Sequence, residues 1–343
     1  IEALQRLAEH HRRSLRGTVV GITGSNGKTI VKEWIAQTMP ATFKLFRSPR
    51  SYNSQLGVAL SLLMAEGDED LVLVEAGISQ RGEMERLQRM IRPDVVIFTS
   101  VGDAHQENFA SLEEKAEEKL KLFAHTPTII YNKNDEILQR LVPLRYADRR
   151  LSAVDAAHRD LRGIPFSDTA SRENAAEALA LFDELGFNSE TIRKRLPMLQ
   201  NVAMRMEFKD GINGCKIVND SYNSDINSLG IALEYLSSVA GNREKVLILS
   251  DIDQSGLSSD SLYKRVAELI RNNGITELIG VEVADKPNAL AEVVALMEQE
   301  NINIEYLYSF VLTSQNTAKI LMRIEDTDRA IKLLQEKGIK LLS

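Results

Sequence analysis

The sequence holds a single cysteine, Cys215, in 343 residues. That scarcity excludes an internal disulfide and a cysteine-rich metal site. Basic residues do not outnumber acidic ones. Lys and Arg total 42 against 49 Asp and Glu, a net charge of −7, and no basic stripe is concentrated anywhere, so nucleic acid is not an expected partner. No apolar run reaches the ~20 residues of a membrane span, and no signal peptide is visible. A cytoplasmic, reducing location is the expectation. What remains is 43% hydrophobic and 27% charged residues, the balance of a soluble protein, in a length that suits two or three domains. The chain opens on Ile1 rather than Met, which reads as a trimmed or partial chain.

The stretch Thr18 to Thr29, TVVGITGSNGKT, organises the rest. A β-branched apolar run leads into a glycine turn, and Lys28 opens a helix expected to run to Thr38. Strand, turn and helix in that order are the setting of a phosphate-binding loop. Gly24, Ser25, Asn26 and Gly27 are small enough to let backbone N–H groups crowd around phosphate oxygens, and the helix N-terminus adds positive potential. Lys28 can reach terminal phosphates, and the Thr29 hydroxyl can ligate Mg²⁺. Ile22 stands where the generic pattern has a further glycine.

Ile1 to Arg16 reads as an amphipathic helix with Ile1, Leu4, Leu7 and Ala8 on its buried face and a solvated His10-His11 pair. Trp34 and Ile35 mark the buried side of the helix after the phosphate loop. A polar loop, Ser51 to Gln55, runs into an apolar helix. Leu71 to Val74 and Val95 to Thr99 are continuous apolar runs, the pattern of buried parallel strands. The first ends at Glu75, the second leads to His105, and carboxyl ends of neighbouring strands are where a metal ligand or an acid for catalysis belongs. Ser111 with Glu114 forms a capping box opening a helix of alternating charge, with Glu117–Lys121 and Lys115–Glu118 as expected pairs. By composition, Lys119 there is an ordinary solvated lysine. Thr128 to Tyr131 is a further strand, and 143–165 reads as a loop or a shortened subdomain. Ser171 to Leu185 is a helix ended by Gly186. A hairpin around Gly211 to Gly214, a strand at Cys215 to Val218, a buried strand at Val246 to Leu249, a helix at 261–272 and a strand from Glu277 make a second, smaller α/β unit. Alternating strands and helices predict an α/β fold with a doubly wound, mostly parallel sheet.

Six motifs in order, TGSNGKT, SYNSQLGV, VEAG, VGDAH, SLEEKAEEK and NDSYNS, resemble the Mur ligases. Within them they look most like the branch that joins D-Ala-D-Ala to UDP-MurNAc-tripeptide, in the form fused to an alanine racemase. The resemblance implies a central ATPase domain at about 1–195 and a Rossmann-like C-terminal ligase domain at 196–280, shorter than usual. The uridine-nucleotide domain of the family is expected to be absent, since one helix precedes the phosphate loop. ATP and Mg²⁺ are the implied cofactors, and UDP-MurNAc-peptide and D-Ala-D-Ala the implied substrates. Lys28 and Thr29 would hold phosphates and Mg²⁺. Glu75 and His105 match the magnesium ligands, and Lys119 matches the lysine that in several members is carbamylated and ligates a second Mg²⁺. Asn174 matches an adenine-contacting asparagine; Ser171 and Ala170 replace its usual Asn and His companions. Arg205 and Asp220 match residues that approach the nucleotide. Asn53, Ser54, Tyr222 and Asn223 fall where substrates would lie. The implied reaction is ATP-dependent amide formation through an acyl phosphate. SYNSQLGV and NDSYNS argue against the related folylpolyglutamate synthetases.

From Val281 to Ser343 the pattern changes to strand, helix (Ala289 to Glu300), strand, strand, helix, strand, the ferredoxin-like order. Its wording resembles an ACT domain, which implies an amino-acid ligand at the turn Asp285 to Asn288 or self-association through the sheet. Asn288 stands where that family usually has glycine. The two resemblances meet within Leu278 to Val283, which reads as the join of a fusion.

Overall fold

The structure is a computed structural model. It describes residues 1–343 other than 203–204, 212–213, 221–224, 242, 248, 250–251, 253–254, 276–279, 285–303, 313–316, 325–326 and 343; of the strand and helix residues within 280–328, and of 340 and 342, only the backbone is described. The chain falls into two compact units, one of residues 1–235 with 254–262, the other of 236–253 with 263–343.

The first unit begins with α1 (Glu2–Arg12), β1 (Thr18–Thr23), α2 (Lys28–Thr38), β2 (Leu45–Arg47), α3 (Gln55–Met64), β3 (Leu71–Glu75), α4 (Glu83–Ile91) and β4 (Val95–Phe98). It continues through α5 (Leu112–Leu120), β5 (Thr128–Asn132), α6 (Glu136–Arg145), β6 (Arg150–Val154), α7 (Thr169–Glu184) and α8 (Ser189–Arg193). The six strands form one parallel sheet in the order β2-β3-β1-β4-β5-β6. Because helices cover both faces, the inner strands carry runs of apolar residues, and alternate residues serve opposite cores. Val19, Val72, Val74, Val96 and Phe98 join one core, while Val20, Ile22, Leu71, Leu73 and Ile97 join the other. The second core takes Val31, Trp34 and Ile35 of α2 and Ala175, Leu181 and Phe182 of α7, and Trp34 stacks on Phe166 with centroids 4.8 Å apart.

Several expectations change. Helix α1 stops at Arg12 rather than Arg16, and its packed line is Leu4, Ala8 and then Leu15; Ile1 and Leu7 are exposed. His11 is part-buried, with Nε2 2.8 Å from the Ala65 carbonyl. The expected loop at 143–165 holds the end of α6 and the edge strand β6. Pro143 sits in the last turn of α6, where one backbone bond is lost rather than many. Strand β6 reads Arg-Leu-Ser-Ala-Val because an edge strand need not be continuously apolar. The short strand β2 and helix α4 are additions to the elements expected from the sequence.

After α8 come an antiparallel hairpin of β7 (Glu207–Asp210) and β8 (Lys216–Asn219), then α9 (Ile226–Ala240) and α10 (Ser259–Asn272). The expected strand at Val246 to Leu249 is not found among the described residues. Val246, Leu247 and Leu249 lie in irregular backbone, and among the described residues no neighbouring strand offers them a ladder. The last part contains β9 (Gly280–Ala284), β10 (Ile304–Leu312), β11 (Thr317–Ile324), α11 (Thr327–Glu336) and β12 (Lys340–Leu342). Its sheet is antiparallel in the order β10-β11-β9-β12, the arrangement of a split βαβ unit. The expected helix Ala289 to Glu300 and the turn Asp285 to Asn288 lie outside the described residues.

Candidate functional site

Strand order sets the site. The chain leaves β1 with β3 on one side and β4 on the other, so the β1–α2 loop sits where connections diverge, at the carboxyl edge of the sheet. Two positions there require glycine. Gly24 has φ +146° and a Cβ would strike Thr99 Oγ1; Gly27, at the N-cap of α2, has φ +82° and a Cβ would strike Asn174 Oδ1. The loop is tied to the end of β4. Ser25 N–H donates to the Ser100 carbonyl at 2.7 Å, and Gly102 N–H donates to Ser25 Oγ at 2.8 Å.

Lys28 Nζ donates to the carbonyls of Gly24 (2.7 Å) and Ser25 (2.9 Å), curled over its own loop. Thr29 Oγ1 donates to Glu75 Oε2 at 3.0 Å and lies 3.1 Å from Ser51 Oγ. Glu75 is fully buried, and its other oxygen pairs with Lys32 Nζ at 2.8 Å, the lysine being fully buried too. Lys32 is absent from the residues picked out by sequence. Its signal was the four-residue step from Lys28, which puts both on one face of α2.

Helix α5 differs from its expected solvated form. Ser111 caps it by accepting the Glu114 N–H, and Glu114 reaches back to the Ala110 N–H at 2.7 Å, so the box closes one residue early. The expected pairs are replaced: Lys121 meets Glu118 and Glu85, Glu117 meets Arg145, and Lys115 donates to the carbonyls of Gly102 and Ala104. Lys115, Glu118 and Lys119 are buried because the helix packs its charged-looking face on the sheet edge. Lys119 Nζ donates to the Gly24 carbonyl at 3.1 Å.

These groups surround a cavity of about 210 Å³ lined by the whole loop from Gly24 to Thr29, with Asn53, Ser54, His105, Lys119 and Arg205. Its lysines, and Lys115 outside its lining, are held below their ordinary pKa. Burial brings Lys28 down to about 8 against the pull of Glu75, and Lys115 to about 8 against Asp103 and Asp225. Burial, then repulsion from Lys28 and Lys115, pushes Lys119 well below the lysine range. His105 sits in the left-handed region, φ +58°, just past β4. Ser54 also caps α3, accepting the Gly57 N–H at 3.2 Å.

A second cavity, about 270 Å³, lies on the other side of Asn26 and Gly27. Asn174 and Glu177 of α7, Asp168 at its N-cap, Asn132 at the end of β5, Arg205 and Asp220 line it. Arg205 therefore borders both cavities. Burial raises the Asp220 carboxyl, opposed by the Met206 N–H and Arg205. Tyr222 and Asn223 lie outside the described residues.

Of the expected metal set, Thr29 touches Glu75, while His105 and Lys119 line the same cavity as Thr29. Among the described residues no three His, Cys, Asp or Glu side chains converge as a metal site. A hydroxyl against a carboxylate beside a phosphate loop is nevertheless a hard-oxygen pair of the kind Mg²⁺ takes when phosphate and water complete its shell.

Residues 22–159 match the Mur ligase middle domain family. The UDP-N-acetylmuramoyl-tripeptide–D-alanyl-D-alanine ligase of Bacillus subtilis is 27% identical over 291 residues, covering 79% of this chain and 64% of that protein. The chain thus spans about two thirds of that relative's length. Among solved structures, MurF from Acinetobacter baumannii superposes with a TM-score of 0.69 at 21% identity, covering 79% of this chain and 64% of that one. MurF from Thermotoga maritima, solved with ADP, gives 0.67 at 24% identity over 78% of this chain and 68% of that one. The segment from residue 22 to residue 159 is thus similar to the Mur ligase middle domain, in a fold that is shared with the MurF ligases.

Proposed function

We propose that this chain supplies the nucleotide-handling core of an ATP-dependent amide ligase of peptidoglycan precursor synthesis, acting in the cytoplasm and joining D-Ala-D-Ala to UDP-MurNAc-tripeptide. The observation that carries it is the convergence of Lys28, Thr29, His105 and Lys119 on one cavity, with Glu75 hydrogen-bonded to Thr29. The organisation is a central ATPase domain at 1–195, a ligase domain at 196–280 and an ACT-like domain at 281–343.

In the reaction a substrate carboxylate attacks the γ-phosphate, giving an acyl phosphate and ADP; an amine then displaces phosphate to form the amide. The backbone N–H groups of 24–29 and the start of α2 receive the phosphates, and Lys28 leaves its loop carbonyls to follow the transferred group. Thr29 and Glu75, with His105, would hold Mg²⁺, which supplies charge neutralisation to the phosphoryl group when bound. Lys32 holds Glu75 in place through their ion pair. Asn53 and Ser54 sit where the acceptor carboxylate would enter, and Arg205 and Asp220 approach the nucleotide. Burial and the cations of Lys28 and Lys115 hold Lys119 well below the lysine range, which favours the neutral amine, the form that adds CO₂. A carbamate there would place an anion between Lys28 and Lys115 and end their mutual repulsion.

Calorimetry with Mg²⁺-ATP on this chain and on Lys28→Ala tests the nucleotide reading. Binding lost in the variant supports it; a folded chain that binds no ATP overturns it. Formation of ADP with the pentapeptide product from intact substrates tests the ligase assignment.

A second reading is favoured by the order β10-β11-β9-β12: the last segment is an amino-acid-sensing or dimerising ACT-type module. A monomeric chain with no thermal shift in an amino-acid screen removes its support.

A further inference from the structure

The second cavity contains a group that amide formation does not use. Glu177 is 1% exposed, it lines that cavity, and its Oε2 has no hydrogen-bond partner. Glu177 follows Asn174 by three residues on α7, so the two side chains share a face. Oδ2 of Asp168, in the same wall, is buried and unpartnered as well. Buried polar atoms without partners are rare and costly. Two of them around one cavity point to a ligand whose polar edge completes them.

The charges that bear on Glu177 are acidic: Glu173 on its own helix and Asp135 at the N-cap of α6. Asp168, Asp220 and Glu234 also line the cavity, with Arg205 as a cation. An ionised Glu177 would be buried among like charges, so the carboxyl keeps its proton. A neutral carboxyl offers one O–H donor and one carbonyl acceptor side by side. Adenine presents the complement, a ring-nitrogen acceptor beside an amino donor.

We propose that Glu177 reads the base of the bound nucleotide as a neutral acid, giving its O–H to a ring nitrogen and accepting an exocyclic N–H. The proposal rests on the nucleotide reading above. Burial, then Glu173 and Asp135, holds this carboxyl well above the usual carboxylate range, in line with that state. Ionisation would convert the donor into a second acceptor facing the ring nitrogen. Base binding is thereby coupled to the Glu177 proton, whereas phosphate binding depends on the separate proton of Lys28.

The test compares Mg²⁺-ATP with Mg²⁺-tripolyphosphate, which has the phosphates and no base, by calorimetry across neutral and alkaline pH. Titration of Lys28 affects both ligands and largely cancels in the ratio of their affinities. In the unmodified chain that ratio falls as pH rises. Glu177→Gln keeps a donor and an acceptor, so its ratio stays high and flat. Glu177→Ala lowers the ratio about tenfold at neutral pH, the loss of one or two buried hydrogen bonds. A flat ratio in the unmodified chain, left unchanged by Glu177→Ala, overturns the role of Glu177 and leaves the nucleotide reading standing. A folded chain that binds tripolyphosphate but not ATP overturns both the base-reading role and the assignment of the second cavity to a nucleotide base.

Discussion

The two cavities share the wall formed by Asn26 and Gly27 and differ in charge. The first is built around Lys28, Lys119 and Arg205, with Glu75 behind Thr29. The second is lined by Asp168, Glu173, Glu177, Asp220 and Glu234, with Asn132 and Asn174 among them. A cationic compartment suits phosphates, and a carboxyl-and-amide compartment suits a base with donors and acceptors. Gly27 is the pivot of this division, since a side chain there would collide with Asn174.

The sharpest break is Lys28→Ala. Removing the mobile ammonium from the first cavity is expected to cost about 3 kcal/mol of ATP binding, roughly a hundredfold. Tripolyphosphate should lose affinity to the same degree, because both ligands use only that cavity for their phosphates.

Lys32→Met leaves the buried carboxylate of Glu75 without its ion pair. Loss of one partner of a buried pair destabilises by about 3–5 kcal/mol, and urea denaturation should read it as a lower midpoint. An unchanged midpoint would mean that Glu75 does not depend on Lys32.

The compartments should also respond oppositely to pH. Lys28 has a folded pKa of about 8 against 10.5 for free lysine. Between those values the unfolded chain binds the extra proton, so this group makes stability rise with pH. Glu177 has a folded pKa well above 4.5. Above 4.5 the folded chain binds the extra proton, so stability from this group falls as pH climbs towards its folded value. Thermal unfolding of Glu177→Gln against pH should lack the second trend and keep the first.

The smallest expected effect is at the shared edge. Ser25→Ala removes the acceptor for Gly102 N–H and the donor to the Gly102 carbonyl. About 1–2 kcal/mol of stability should be lost, read as a lower unfolding midpoint, with ATP affinity reduced less than in Lys28→Ala.

Much of the first cavity was legible from residue order. TGSNGKT lay between a β-branched run and a helix, and that helix spans Lys28–Thr38 as expected. Glu75 and His105 were legible as residues just past apolar runs. Lys119 was flagged only by resemblance and Lys115 not at all, because a helix rich in paired charges looks solvated until it is known which face meets the sheet. The Lys32–Glu75 pair joins positions 43 residues apart, and no local pattern announces it. The second cavity was least legible. Asn174 was flagged by resemblance, whereas no reading of the sequence singled out Asp168 or Glu177.

Hydrophobic period, β-branched runs and turn residues act over a few neighbours, so the sequence by itself determined the inner parallel strands, the phosphate-loop helix and the capped start of α5. Strand order decided the rest. Placing β1 between β3 and β4 brought Gly24, Glu75 and Thr99 together, and packing α5 and α7 at the carboxyl edge of the sheet buried Lys119 and Glu177. Burial and the nearness of other charges set the protonation of those groups, and both are properties of tertiary packing.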